Sequence, residues 1–282
     1  MRDLIEAAGL QLRVAKRLAP RRGASLAERI GRLDDRFVFV VGSPRSGTTF
    51  LATALGSIPG LVDLGEVAPL KAAVPELVNV PPARAARRLR SILAIARRVG
   101  LVGSVRPVEQ TPEMAYLLDV ADLAYPDARF VHMLRDGRDV VCSLLEKSWL
   151  KPSSNGRDDA GLSYGAHPRF WVEPERRDEF ASASDARRAA WAWRAYVSAA
   201  SSAAAPVVEV RYERMVAEPE SVARELAAHL EMPVGPLSQA LREAHTRSVG
   251  RYRSELSDSD LADVLDEAGP LLSELGYMSA AM

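Results

Sequence analysis

Residues 37–50 read Phe-Val-Phe-Val-Val-Gly-Ser-Pro-Arg-Ser-Gly-Thr-Thr-Phe, five apolar β-formers running into a turn bracketed by Gly42 and Gly47. A short unbroken apolar run has no polar face to offer water, so it suits a strand covered on both sides, as in a parallel sheet. Residues 50–58 then show helical spacing. The turn therefore opens a helix N-terminus, where unpaired amides and the helix dipole favour an anion.

A nucleotide-hydrolysing phosphate loop has the form G-x-x-x-x-G-K-[ST], its lysine reaching the outer phosphates and its hydroxyl holding Mg²⁺. On that frame Gly42 and Gly47 take the two glycine positions and Thr49 the final hydroxyl, but Thr48 stands where the lysine belongs. The cation lies three positions earlier, at Arg45. That arrangement suits a nucleotide with an anionic 5′ group and no Mg²⁺-bound triphosphate. Pro44 to Thr49, followed by Phe50, resembles the 5′ loop P-[KR]-S-G-T-T of sulfotransferases that use 3′-phosphoadenosine 5′-phosphosulfate (PAPS). The resemblance implies that Arg45, Ser46, Gly47, Thr48 and Thr49 hold the donor, without a metal, and that Phe50 stacks on adenine or else packs in the core.

The second half of the resemblance lies about ninety residues on. Telling PAPS from ATP requires a guanidinium and hydroxyl or amide donors on the 3′-phosphate. Leu134 to Leu144 resembles the family's 3′-phosphate motif, whose arginine and serine fall on Arg135 and Ser143; Arg138 and Asp139 read as turn and cap residues. Tyr212, in a Y-E-x-[LM]-like segment, and Gly250 and Arg251, in a G-R-W-R-like stretch, match two further positions near the nucleotide. Ordinary strand-end and loop roles explain these last three equally well.

Sulfonate transfer needs a base for the acceptor proton. None of His132, His167, His229 and His245 stands where the cytosolic steroid and phenol sulfotransferases place theirs. Gly65-Glu66 resembles the G-E pair of the tyrosylprotein and carbohydrate sulfotransferases, which implies Glu66 as base beside Arg45 as the catalytic cation. One departure stands out: Glu109-Gln110-Thr111-Pro112 resembles the family's [EN]-K-[TD]-P, with Gln110 replacing the lysine. An amide donates a hydrogen bond but brings no charge, so Arg45 carries more, or Lys71 or Arg106 substitutes, or turnover is impaired. A small-molecule kinase and a PAP-binding protein without catalysis remain as alternatives.

At 282 residues with 48% hydrophobic composition the chain can build one sizeable core. Residues 128–134 and 207–211 read as strands, and 139–149 and 219–230 as helices. The alternation predicts an α/β, P-loop-type three-layer domain with a central parallel sheet flanked by helices. One domain over residues 1–282 is expected, with 1–35 as a helical N-terminal extension suited to packing or a homodimer contact. Residues 150–185, rich in Pro, Ser, Gly and charge, read as a lid over the acceptor site. The aromatics Trp149, Tyr164, Phe170, Trp171, Trp191, Trp193 and Tyr196 suggest a bulky acceptor, although Trp191, Trp193 and Tyr196 have core-like helical spacing.

Lys plus Arg and Asp plus Glu number 37 each, so no overall field draws nucleic acid. Arg84, Arg87, Arg88, Arg90, Arg97 and Arg98 read as a solvated helix face over 82–99. The single Cys142 leaves no internal disulfide and fits a reducing compartment. Charges at Arg2, Glu6, Arg13, Lys16 and Arg17 interrupt any signal-peptide core, and no run nears the ~18 apolar residues of a membrane span. The expectation is a cytoplasmic bacterial enzyme without a transmembrane segment, acting on a small-molecule, glycan or lipid acceptor and releasing PAP.

Overall fold

The computed structural model describes residues 31–100, 102–147, 150 and 170–278. Residues 1–30 of the expected extension and 151–169 of the expected lid lie outside them, as do Trp149, Tyr164 and His167. Residues 31–35, placed in the helical extension by sequence, are irregular, and the C-terminal part of the lid segment is helical.

Five strands form one wholly parallel sheet in the order β2-β3-β1-β4-β5. They are β1 (Val38–Val41), β2 (Leu61–Asp63), β3 (Arg106–Glu109), β4 (Arg129–Leu134) and β5 (Val207–Arg211). The apolar run that opens the chain's motif is the central strand, and its side chains alternate between two cores. Phe37, Phe39 and Val41 enter one, Val38 and Val40 the other. β2 and β3 carry weak sequence signals. β2 has three residues, and β3 opens on Arg106-Pro107, where a proline cannot donate to a ladder. The register resolves the conflict, because Pro107 pairs only with Val62 of β2 and the ladder to β1 starts at Val108.

Among the described residues the helices are α1 (Thr48–Gly56), α2 (Ala68–Leu77), α3 (Pro82–Val99), α4 (Leu118–Ala124), α5 (Gly137–Leu145), α6 (Arg177–Ser182), α7 (Asp185–Ser201), α8 (Tyr212–Ala217), α9 (Pro219–Leu230), α10 (Val234–Leu241), α11 (Tyr252–Glu255) and α12 (Asp258–Glu274). One sheet face is covered mainly by α2, α3, α4, α5, α7 and α12, the other by α1, α9 and α10. This is the three-layer arrangement expected of an alternating strand–helix chain.

One side-chain assignment changes. Arg97 is not on the solvated face of α3 but fully buried, its guanidinium 5.1 Å from the Phe37 ring centroid and Nη2 donating to the Gly103 carbonyl at 2.9 Å. Its position falls on the stripe of Leu89, Leu93 and Ala96 that faces the core. Trp191, Trp193 and Tyr196 are fully buried core residues of α7. Arg176, at the lid's helical end, stacks 3.8 Å over the Trp191 ring and pairs with buried Glu267 at 3.1 Å, fastening that end to α7 and α12. No helix of the described residues is long and apolar enough to cross a membrane.

Candidate active site

β1 leads to strands on one side of the sheet and β4 to β5 on the other, which makes the crevice beyond their carboxyl ends a topological switch point. The turn after β1 must bend tightly there. At Gly47, with φ 99°, an added Cβ would lie 2.7 Å from the Tyr212 ring. Arg45 adopts φ 72° although it is not glycine, a conformation costing on the order of 1–3 kcal/mol. Its carbonyl is held by Nη1 of Arg135 at 3.1 Å. No side chain caps α1, so the amides of its first turn are left for another acceptor. The Ser46 hydroxyl is buried without a partner.

Arg135 follows the last residue of β4 and is 5% exposed. Its guanidinium lies 4.9 Å from the Tyr212 ring centroid, Nη2 donates to the Ser248 carbonyl, and Nε has no partner. Nε of Arg45 donates to Oγ of Ser143 at 2.9 Å, joining two motifs 98 positions apart. The Tyr212 hydroxyl donates to the His245 carbonyl at 3.0 Å. The contacts thus bring Arg45, Gly47, Arg135, Ser143 and Tyr212 into one cluster, with Ser46 and Thr48 buried inside the loop.

Gly250 and Arg251 reach this cluster through a residue that sequence reasoning misassigned. The cap of α5 is Asp136, which accepts from the Arg138 amide at 3.0 Å. Asp139 is buried and instead accepts the amides of Gly250 at 2.7 Å and Tyr252 at 3.0 Å. It turns the 250–252 loop over the start of α5, while Arg251 pairs with Glu146 and Glu255 at 2.5 Å. Trp193 and Glu213 were also missed: Trp193 Nε1 donates to the Arg135 carbonyl at 3.1 Å, and Glu213 accepts from the Asp136 amide at 2.8 Å. Only the first had a legible signal, its core-like spacing. Phe50 is half-buried against the core that includes Tyr212 and lines a cleft of about 460 Å³ with Pro236 and Ala240 of α10.

A second group of polar residues gathers beyond β2 and β3. Thr49 is exposed and donates to Oε1 of buried Gln110 at 3.3 Å. Glu109, fully buried, accepts from the Thr111 amide at 3.0 Å and from its hydroxyl, and burial pushes its carboxyl up to about 8. Glu66, in the loop from β2 to α2, lies 2.5 Å from the Lys71 ammonium. Arg106 sits at the opposite end of β3, donating to the carbonyls of Arg36 and Leu230, so it does not stand in for the missing lysine.

The described histidines differ in place. His132 is buried within β4, where desolvation pulls its pKa down to about 4. His229 Nε2 bonds the Phe130 carbonyl near the start of that strand. His245 is exposed in the loop that meets Tyr212.

The switch-point cluster presents two neighbouring sets of groups of a kind that binds anions: the uncapped α1, the unpartnered Ser46 hydroxyl and Arg45 in one, and Arg135, with its unpartnered Nε, and Ser143 in the other. A parallel sheet flanked by helices, with a glycine-bracketed loop at its switch point, is a P-loop-type α/β protein.

Residues 98–236 match the model of the sulfotransferase family. The sulfotransferase domain of the olefin synthase of Synechococcus PCC 7002 has the same fold, with TM-score 0.50 and 16% identity over 86% of this chain and 96% of that one. Sulfotransferase STF9 from Mycobacterium avium also has TM-score 0.50, with 14% identity over 97% of this chain and 84% of that one. No curated protein matches the chain. Over residues 98–236 the chain is similar to the sulfotransferase family, and the fold of known sulfotransferases extends over most of the rest.

Proposed function

We propose that this protein transfers the sulfonate of PAPS to a hydroxyl or amine of a small-molecule, glycan or lipid acceptor, and that it resembles the tyrosylprotein and carbohydrate branch. The observation that carries the reading is the contact of Arg45 with Ser143, together with the hold of Arg135 on the Arg45 carbonyl. These two contacts support the reading by joining the segments that it assigns to the 5′ sulfate and the 3′ phosphate.

On this reading the loop amides, Ser46 and Thr49 hold the 5′ end, Arg135, Ser143, Gly250 and Arg251 hold the 3′-phosphate, and Tyr212 and Phe50 flank the nucleotide. Arg45 neutralises charge on the sulfonate oxygens. The acceptor oxygen bonds to sulfur as the bond from sulfur to the 5′-phosphate oxygen breaks, and PAP leaves with that electron pair. Glu66 takes the acceptor proton. The chain acts as one cytoplasmic domain.

PAP should stabilise the fold far more than ADP does. At a hundredfold excess over its dissociation constant the gain is about 2.7 kcal/mol, read as a thermal shift. Equal shifts for the two nucleotides at matched concentration would remove the 3′-phosphate assignment, and Arg135→Ala should abolish the difference. Turnover is expected to be unchanged by EDTA, because Thr48 occupies the lysine position of a Mg²⁺-nucleotide loop. Activity lost in EDTA and restored by Mg²⁺ would favour the kinase. Gln110 supports a second reading, a PAP-binding protein without catalysis, since its buried amide supplies no charge. PAP binding with no release of sulfonate to any acceptor, water included, would identify it.

A further inference from the structure

The Lys71 ammonium is nine-tenths buried and more, at 4% exposure, on the first turn of α2, and two carboxylates approach it. Glu66 Oε2 lies at 2.5 Å, and Glu113 Oε1, from the short 3₁₀ turn Pro112–Tyr116, at 3.9 Å. An ammonium taken out of water costs several kcal/mol unless it is paired, so the lysine is held there by these partners. We infer that Lys71 is a positioning residue for Glu66, holding its carboxylate ionised and in one orientation at the edge of the donor site.

This inference rests on the sulfonate-transfer reading and concerns the readiness of its base. The charged groups gathered around Glu66 include Lys71 on α2, Glu109 at the end of β3, and Glu113, which accepts the Tyr196 hydroxyl at 3.0 Å. Asp63, the last residue of β2, is engaged by the Gly65 amide at 2.8 Å and the Thr53 hydroxyl at 3.3 Å. Carboxylates crowded together favour protonation of one another. Glu109 illustrates the environment, since burial, with the Glu66 charge adding to it, keeps its carboxyl protonated near neutrality. Lys71 is the cation that Glu66 meets at 2.5 Å, and removing it would leave the Glu113 carboxylate, drawn to the same ammonium, as a like charge that favours a protonated Glu66. A protonated Glu66 cannot receive the acceptor proton.

The direct test follows the Glu66 carboxyl itself, by ¹³C NMR of protein labelled at glutamate carboxyls, with the signal assigned by Glu66→Gln. In Lys71→Met the Glu66 titration should rise by about one pH unit, tenfold in proton affinity, and Lys71→Arg should restore it. The acid limb of kcat for PAPS hydrolysis, with water as acceptor, should move up by the same amount while the PAP thermal shift stays unchanged. If Lys71→Met does not fold, the reciprocal measurement leaves the lysine in place: Glu66→Gln should lower the Lys71 ammonium pKa by a comparable amount. A Glu66 titration indifferent to Lys71, or a Lys71 titration indifferent to Glu66, overturns the inference alone. Failure of the sulfonate-transfer reading appears separately, as a wild-type protein with no preference for PAP over ADP and no turnover of PAPS.

Discussion

Glu66→Gln is expected to lower kcat by about 10²-fold or more, roughly 2.7 kcal/mol of transition-state stabilisation, with PAP affinity nearly unchanged. The substitution keeps the shape and the hydrogen-bonding reach of the side chain but removes its capacity to accept a proton. Glu66 stands beside Lys71 rather than within the cluster of Arg45, Arg135 and Ser143, so product binding should not register the change. Arg45→Ala should behave differently. Its guanidinium meets Ser143 and adjoins the 5′ loop, so donor affinity and kcat should fall together. Steady-state kinetics with labelled PAPS and PAP titration measure both quantities. Near-normal turnover in Glu66→Gln, with loss of turnover in a histidine variant, would move the base to that histidine. His245 is the described histidine that lies in the loop meeting Tyr212 and is the first to substitute.

The second large effect concerns stability. Trp193→Ala should destabilise the fold by about 3–5 kcal/mol, the range for truncating a fully buried large aromatic side chain. Trp193 is fully buried, and a Cβ on Gly137 would lie 2.7 Å from its ring. Its Nε1 also satisfies the carbonyl of Arg135, so the indole supports the backbone that presents the Arg135 guanidinium. Urea denaturation gives the loss as a drop in midpoint at unchanged slope. Trp193→Phe separates the two contributions, because it retains most of the ring and leaves the Arg135 carbonyl unbonded, at a cost of about 1–3 kcal/mol. Both variants should also reduce the thermal shift with PAP. A variant that unfolds normally but keeps the full shift would show that the indole hydrogen bond does not set Arg135.

Where the local signal was strong, expectation and structure agree. The run 37–41 became the central strand, 129–134 and 207–211 became β4 and β5, and α9 spans Pro219–Leu230 as read from the proline and the periodicity. The helix after the second motif was expected at 139–149 and spans Gly137–Leu145, since the Asp136 cap starts it two residues earlier. Strands β2 and β3 were not legible. A three-residue strand has too few alternating positions to show a period, and a strand that opens on Arg-Pro looks like a loop until its neighbours are known.

The site divides in the same way. Glycines at Gly42 and Gly47, an arginine and hydroxyls at fixed spacing are local requirements of a backbone that must wrap an anion, so the chain announces them within a few residues. The kinds of group proposed for each end of the donor are likewise written in two short motifs. Contacts between distant segments are written nowhere in particular. The bond from Arg45 to Ser143, the grip of Asp139 on the Gly250 amide, the support of Arg135 by Trp193 and the pairing of Glu66 with Lys71 depend on strand order and on which face each helix buries. Aspartate looks alike as a cap or as a clamp on a loop 111 positions away, and only packing chooses between them. Sequence by itself determined the parallel α/β plan and the tight glycine-bracketed turn after its central strand, because hydrophobic period and turn chemistry act over a few residues. The tertiary structure decided which polar groups meet, because burial leaves each of them to find the partner that the fold brings within hydrogen-bonding reach.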